Sequence, residues 1–90
     1  MPRKIDPAAR AACRAMGFCE VCGKSEGPFH AAHLLAKGMG AGKQMDVPIN
    51  LICLCPGCHG QAHAGKISFD RLAAIVVRRE VWRMLREGVE

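Results

Sequence analysis

Several features that define other classes of protein are missing from this sequence of 90 residues. The basic residues after Met1 precede no apolar run long enough for a secretory signal, and no stretch is long enough to span a membrane. Internal repeats, low-complexity tracts and linkers are also lacking. We therefore expect one domain over residues 1–90 and a cytoplasmic location.

Acidic residues are scarce, since eight Asp and Glu stand against 13 Lys and Arg and leave a net charge of +5. This balance favours a polyanionic partner, although a soluble protein that is simply basic is the alternative. A chain of this length buries a modest core and is often reinforced by a metal or by disulfides. The six cysteines permit either, but the absence of a secretory signal and the pairing of cysteines two residues apart favour metal.

Two Cys-x-x-Cys pairs are the strongest pattern in the chain, because zinc takes four such ligands in a tetrahedron. They predict one structural zinc site on Cys19, Cys22, Cys55 and Cys58. The second pair falls at a predicted strand end and helix start, as in a treble-clef finger. Cys53 should point to the opposite face of the strand from Cys55, and Cys13 is most simply a buried small apolar residue. A zinc finger without catalysis is the alternative for the whole set.

Local signals predict a small α+β domain with helices on both sides of a hairpin. Asp6 and Ser68 are candidate N-caps, and Gly65 is a candidate helix end. The expected elements are a helix over 7–16, extended runs over 29–35 and 47–54, a short helix over 58–64 and a long helix over 68–88. On the last helix a second apolar stripe, formed by Val77, Val81 and Met84, is a docking face, a dimer contact or core.

The histidines indicate a second site beside the zinc. His59 and His63 are four residues apart, so their rings converge on one side of a helix and can bind a divalent metal. Alternatively, one of them replaces a cysteine at the zinc. His33 lies on the first extended run, where an imidazole is a suitable general base at neutral pH, or an ordinary strand residue. Asn50 can tie the backbone near His33, or simply form a turn.

Taken in order, these residues resemble the HNH endonuclease family and its ββα-metal motif. The similarity runs from about residue 18 to residue 65, through Cys19-x-x-Cys22-Gly23, Ala32-His33-Leu34, Ile49-Asn50-Leu51 and Cys55-x-x-Cys58-His59 to His63. The resemblance implies that His33 is the general base, that Asn50 braces the loop positioning it, and that His59 ligates the catalytic metal. His63 then matches the second histidine of His-x-x-x-His in colicin-like members. The small stand-alone proteins of phages and prophages are the nearest type.

One position departs from the family pattern. The residue before the base is usually Asp or His and ligates the metal, whereas here it is Ala32. Side chains alternate along a strand, so His30 shares a face with position 32. We expect His30 to supply the missing ligand, directly or through water.

The activity that the resemblance implies is hydrolysis of DNA phosphodiester bonds, which leaves 5′ phosphate and 3′ hydroxyl ends. Zn²⁺ is the structural ion, and Mg²⁺, Mn²⁺ or Ni²⁺ is the expected catalytic ion, with the softer ions favoured by a histidine-rich site. Candidate phosphate contacts are Lys37, Lys43, Arg78 and Arg79. The alternative is an inactive treble-clef module that binds DNA or a phage packaging or restriction partner, in the cytoplasm of a bacterium or of a phage-infected host.

Overall fold

The computed structural model describes residues 6–35 and 46–88. Its elements are helix α1 (Pro7–Arg14), strand β1 (His30–His33), a 3-10 turn (Pro48–Asn50), strand β2 (Leu51–Leu54), helix α2 (Pro56–His63) and helix α3 (Phe69–Arg86). The predicted α+β class is confirmed. The Gly-rich loop with Lys37 and Lys43 lies outside the described residues.

Helix α1 begins where the sequence placed its cap. The Asp6 carboxylate accepts hydrogen bonds from the amides of Ala8 and Ala9, and Pro7 occupies the first helical position. The helix ends at Arg14, before Gly17, which adopts a φ of +85° that only glycine takes readily. Its buried residue, Cys13, packs against β2.

The two strands form one antiparallel hairpin, in which His30 pairs with Leu54 and His33 with Leu51. The second strand is shorter than predicted, because the amide of Asn50 bonds to the carbonyl of Val47 and closes a 3-10 turn at Pro48–Asn50. Alternation along the strands sends Leu51 and Cys53, with their partners His33 and Ala31, towards α1. His30, Ala32, Ile52 and Leu54 alternate with them and lie on the other face, where Ala32, Ile52 and Leu54 join the core shared with α2 and α3, so the sheet is covered on both sides.

Helix α2 begins at Pro56, two residues earlier than predicted. The sulfur of Cys55 accepts a hydrogen bond from the amide of Cys58 at 3.5 Å and caps the helix. Ser68 caps α3 as predicted, accepting from the amide of Arg71. Strand β2 and helices α2 and α3 share one core, which includes Ile52, Leu54 and the fully buried Val76.

The second apolar stripe of α3 is not part of the core. Val77, Val81 and Met84 are each about half exposed, as is the neighbouring Trp82. Of the alternatives for this stripe, burial in the core is therefore wrong. Over the described residues, none of the helices combines the length and the apolar character that crossing a membrane requires.

Candidate active site

The four predicted zinc ligands come together at the junction of the loop after α1 with the end of β2. All four sulfur atoms lie within 4.8 Å of one another. Cys22 Sγ and Cys55 Sγ are 3.8 Å apart, which matches the edge of a tetrahedron whose metal–sulfur bonds are about 2.3 Å. Gly23 allows the tight turn with a φ of +81°, and its amide bonds to the carbonyl of Cys19. This donor set can hold a zinc ion.

The pKa values of two of these thiols are shifted in opposite directions. Burial acts to raise the pKa of Cys19, but hydrogen bonds from the backbone at Cys22, Cys55 and Val21 lower it to about 6. Burial and the neighbouring sulfur atoms raise the pKa of Cys58 to about 12. A divalent cation bound here would favour the thiolate form of these sulfur atoms.

The two remaining cysteines are not ligands. Cys53 and Cys13 share the core on the α1 side of the sheet. Burial raises the pKa of Cys13 to about 12 and that of Cys53 to about 11, so both are neutral thiols at physiological pH. Both predictions, that Cys53 points away from the zinc and that Cys13 is a small core residue, are confirmed.

Three histidines form a row on the other side of the ββα unit. His59 Nε2 lies 3.1 Å from His63 Nε2, and His59 Nδ1 lies 2.7 Å from His30 Nδ1. At 3.1 Å the Nε2 pair is within hydrogen-bond distance, with one ring donating and the other accepting, and the two nitrogens are also close enough together to bind one cation. Burial of its ring, then the proximity of His63 and His30, lowers the pKa of His59, which favours the neutral form that binds metal.

His30 contacts His59 through the His59 nitrogen that faces away from His63. This is a position from which a hydrogen-bond partner can orient a metal-binding ring, and the role of His30 as a ligand stays a prediction. Across residues 6–35 and 46–88, only the four cysteines bring three or more donor atoms within 4.8 Å of one another. Ala32 is buried in the core with Ile52 and Leu54 and adds no donor.

His33 lies on the opposite face of β1, beside a carboxylate. Its Nε2 is 2.7 Å from Oδ1 of Asp46, whose side chain is fully buried. The other carboxylate oxygen accepts from Arg10 Nε and from the amide of Asp6, both at 2.8 Å. Burial acts to raise the pKa of Asp46, but the bonds from His33, Asp6 and Arg10 hold it below its usual value, so this carboxyl is ionised at neutral pH.

Asn50 makes the contacts that the sequence suggested. Its Oδ1 accepts from the amide of Leu35 at 2.8 Å, and its Nδ2 donates to the carbonyl of Leu35 at 3.2 Å. The backbone of Leu34 also bonds to the carbonyl of Asn50. The segment that follows His33 is thereby fixed to the start of β2.

Asp46 is the residue that sequence reasoning missed. It follows a Gly-rich stretch with no helix or strand pattern, so the sequence did not show where its side chain points. One signal was present in the sequence. Asp46 is the only acidic residue between Glu26 and Asp70, and it lies between the candidate base and Asn50.

The two candidate arginines of α3 differ sharply. Arg79 lies against the hairpin, where its Nη1 donates to Glu20 at 2.6 Å and its Nη2 to the carbonyls of Pro48 and Leu51. Its Nε donates to Glu80. All three guanidinium nitrogens thus have protein acceptors, and Arg79 ties α3 to the sheet instead of facing a phosphate. Arg78 is exposed.

A cleft of about 270 Å³ connects the parts of the site. His33, His59 and His63 line it together with apolar residues such as Phe69 and Leu72. The candidate base, on β1, and the candidate metal ligands, on α2, therefore line one cavity. Such an arrangement can hold an anion beside a cation and place an imidazole nearby.

An antiparallel hairpin followed by a helix, with four clustered cysteines at their junction, defines the small ββα-metal class of zinc-binding domain. The family model described as HNH endonuclease matches residues 19–70, more than half of the chain. This protein belongs to the HNH endonuclease family. No curated protein and no solved structure matches it.

Proposed function

We propose that this protein is a metal-dependent endonuclease that hydrolyses phosphodiester bonds of DNA. The observation that carries the proposal is the shared cleft, where His33 stands with the His59–His63 nitrogen pair 3.1 Å apart. Family membership supports a nuclease. The net charge of +5 supports a polyanionic substrate.

Each residue has a separate task in this proposal. His33 takes a proton from the water that attacks phosphorus. Asn50 holds the backbone at Leu35, next to His33, and so limits the directions in which the base can move. His59 and His63 hold the catalytic metal, and His30 orients His59 through its Nδ1.

A divalent cation held by His59 and His63 would stabilise negative charge on a non-bridging oxygen and on the leaving oxygen. Two imidazoles favour Mn²⁺, Ni²⁺ or Co²⁺ over Mg²⁺, which prefers oxygen ligands. With Ala32 supplying no ligand, we expect weak binding of this metal and a requirement for it at high concentration. The four cysteines hold a separate structural Zn²⁺.

The test is cleavage of supercoiled plasmid by the zinc-loaded protein with Mg²⁺, Mn²⁺, Ni²⁺ or EDTA. We expect metal-dependent nicking that His33→Ala and His63→Ala abolish while the circular dichroism spectrum stays unchanged. Gln61→Ala is the matched control, because Gln61 is an exposed residue of the same helix as His63. Cleavage that survives His33→Ala would contradict the proposal.

A second candidate function is a binding module without catalysis, and the observation favouring it is the buried Ala32 at a position where the family has a ligand. Both candidates bind DNA in a salt-sensitive manner. Only the enzyme shows nicking that depends on metal and on His33. A folded protein that binds DNA yet cleaves with none of these metals would support the module.

The DNA contact that we propose uses phosphates, through the exposed Arg78 and through Lys37 and Lys43. Phosphate contacts carry no sequence information, so specificity would come from a phage or restriction partner. We place the contact with such a partner on the exposed apolar stripe of α3, formed by Val77, Val81 and Met84.

A further inference from the structure

The carboxylate beside His33 is more than an anchor for α1. Asp46 Oδ1 accepts a hydrogen bond from His33 Nε2 at 2.7 Å. Its Oδ2 accepts hydrogen bonds from Arg10 Nε and from the amide of Asp6. The Asp46 side chain is fully buried, and that of His33 is only 13 % exposed. The carboxylate is therefore shielded from water, and its position is held by three donors.

A carboxylate in this setting can only accept hydrogen bonds. Two N–H donors already fix Oδ2, which favours the ionised state of Asp46. The proton in the bond to His33 must then be on Nε2, and in the neutral ring the lone pair is on Nδ1. When a carboxylate accepts a hydrogen bond from one ring nitrogen of a histidine, it fixes the proton on that nitrogen and so determines the tautomer.

We propose that Asp46 is a positioning residue that fixes His33 as the Nε2–H tautomer, so that Nδ1 is the atom that accepts the proton of the attacking water. The statement about Nδ1 as a base rests on the proposed nuclease function, whereas the tautomer itself does not. In this step Nδ1 gains the proton, and the water oxygen uses the freed electron pair to bond with phosphorus. The bond from phosphorus to the 3′ oxygen breaks, and that oxygen leaves with the electron pair and takes a proton from solvent to become the 3′ hydroxyl. Asp46 then balances the charge of the imidazolium without taking a proton.

Asp46 also connects helix α1 to the proposed base, His33. Arg10 belongs to α1, and the amide of Asp6 is at the cap of the same helix. Asp46 therefore joins the start of α1 to the end of β1. The N-terminal helix, which lies outside the ββα unit, helps to set the orientation of the base.

The tautomer is measured directly by ¹⁵N NMR of the histidine rings in the zinc-loaded protein without a catalytic metal. His33→Gln assigns the His33 signals. We expect the Nε2–H form in the wild type. Asp46→Asn offers an amide donor in place of the acceptor, so we expect His33 to shift towards the Nδ1–H form. In the same variant the single-turnover cleavage rate should fall on the order of 10²-fold or more, with little change in the DNA concentration for half-maximal rate.

Cys13→Ala is the matched control, because it loosens the packing of α1 without touching Asp46 or His33. We expect it to lower the melting temperature while leaving the tautomer and the cleavage rate unchanged. An Nδ1–H tautomer in the wild type would overturn the inference. So would an Asp46→Asn variant that keeps the wild-type tautomer and rate. A wild type that cleaves no DNA would refute the nuclease instead, and the NMR result would still decide the role of Asp46.

Discussion

At the scale of single residues, Asp46 and Asn50 do more than the sequence around them suggests. Each is buried, and each uses both ends of a short polar side chain to hold backbone or a second side chain in place. A buried polar group is stabilising only when its partners are present, so loss of a partner costs more than the bond itself contributed. Polar contacts of this kind fix the position of His33.

Acid should destabilise the protein through Asp46. The pKa of this carboxyl is lower in the folded state than its ordinary value of 3.8, so its contribution to stability is fully present above about pH 4 and is lost as the pH falls through the lower folded value. We expect the free energy of unfolding, measured with urea, to decrease below pH 4. In Asp46→Asn this part of the decrease should be absent. An identical pH dependence in the variant would show that other carboxyls are responsible.

At the scale of elements, α3 is held to the rest of the molecule at one buried charged contact as well as by apolar packing. Glu20 accepts from Arg79 and from the amide of Cys53, and its own amide bonds to the carbonyl of Cys53. Glu20 lies in the turn that carries Cys19 and Cys22. This single residue therefore connects the zinc-binding turn, β2 and α3.

Adjacent arginines of α3 allow a direct test. Arg79→Gln leaves the buried carboxylate of Glu20 without its cationic partner, whereas Glu80 keeps Arg83, and we expect the substitution to lower the free energy of unfolding by about 3 kcal/mol. Arg78→Gln, at an exposed position, should change stability by no more than about 0.5 kcal/mol. Urea unfolding of the two variants measures both.

The substitution of Arg78, which should hardly change stability, should weaken DNA binding. Arg78→Gln should reduce the slope of log binding constant against log salt by about 1, because one phosphate contact is lost. Fluorescence anisotropy with a labelled duplex at several salt concentrations gives this slope. Equal slopes for wild type and Arg78→Gln would remove Arg78 from the proposed interface.

At the scale of the whole molecule, the apolar cores on the two faces of the two-stranded sheet are small, and Cys19, Cys55 and Cys58 belong to one of them. A chain of this size buries limited apolar area, and the sheet has only four residues in each strand. The four cysteines link the turn after α1 to the beginning of α2. Metal binding at such a site contributes directly to the free energy of folding.

Removal of zinc should therefore unfold the protein, and two cysteine variants separate ligation from packing. Cys22 is exposed, so Cys22→Ala removes a ligand with little loss of packing, whereas Cys53→Ala removes a buried core atom. We expect about one zinc ion per chain in the wild type and in Cys53→Ala. In Cys22→Ala we expect most of the bound zinc to be lost. Atomic absorption gives the zinc content, and circular dichroism with and without a chelator gives the folding. Full zinc retention in Cys22→Ala would contradict the assignment.

Much of this protein follows from short-range patterns in the sequence. The Cys-x-x-Cys spacings, the His59–His63 separation and the caps at Asp6 and Ser68 each depend on neighbours within four residues, where local geometry allows few alternatives. The α+β class and the family also follow from these motifs in order. Only the tertiary structure placed Asp46 on His33, turned Arg79 inward to Glu20, and brought His30 to the far nitrogen of His59. Those contacts join residues 13, 59 and 29 positions apart, and the packing of the helices on the sheet, rather than any local spacing, decides which side chains meet.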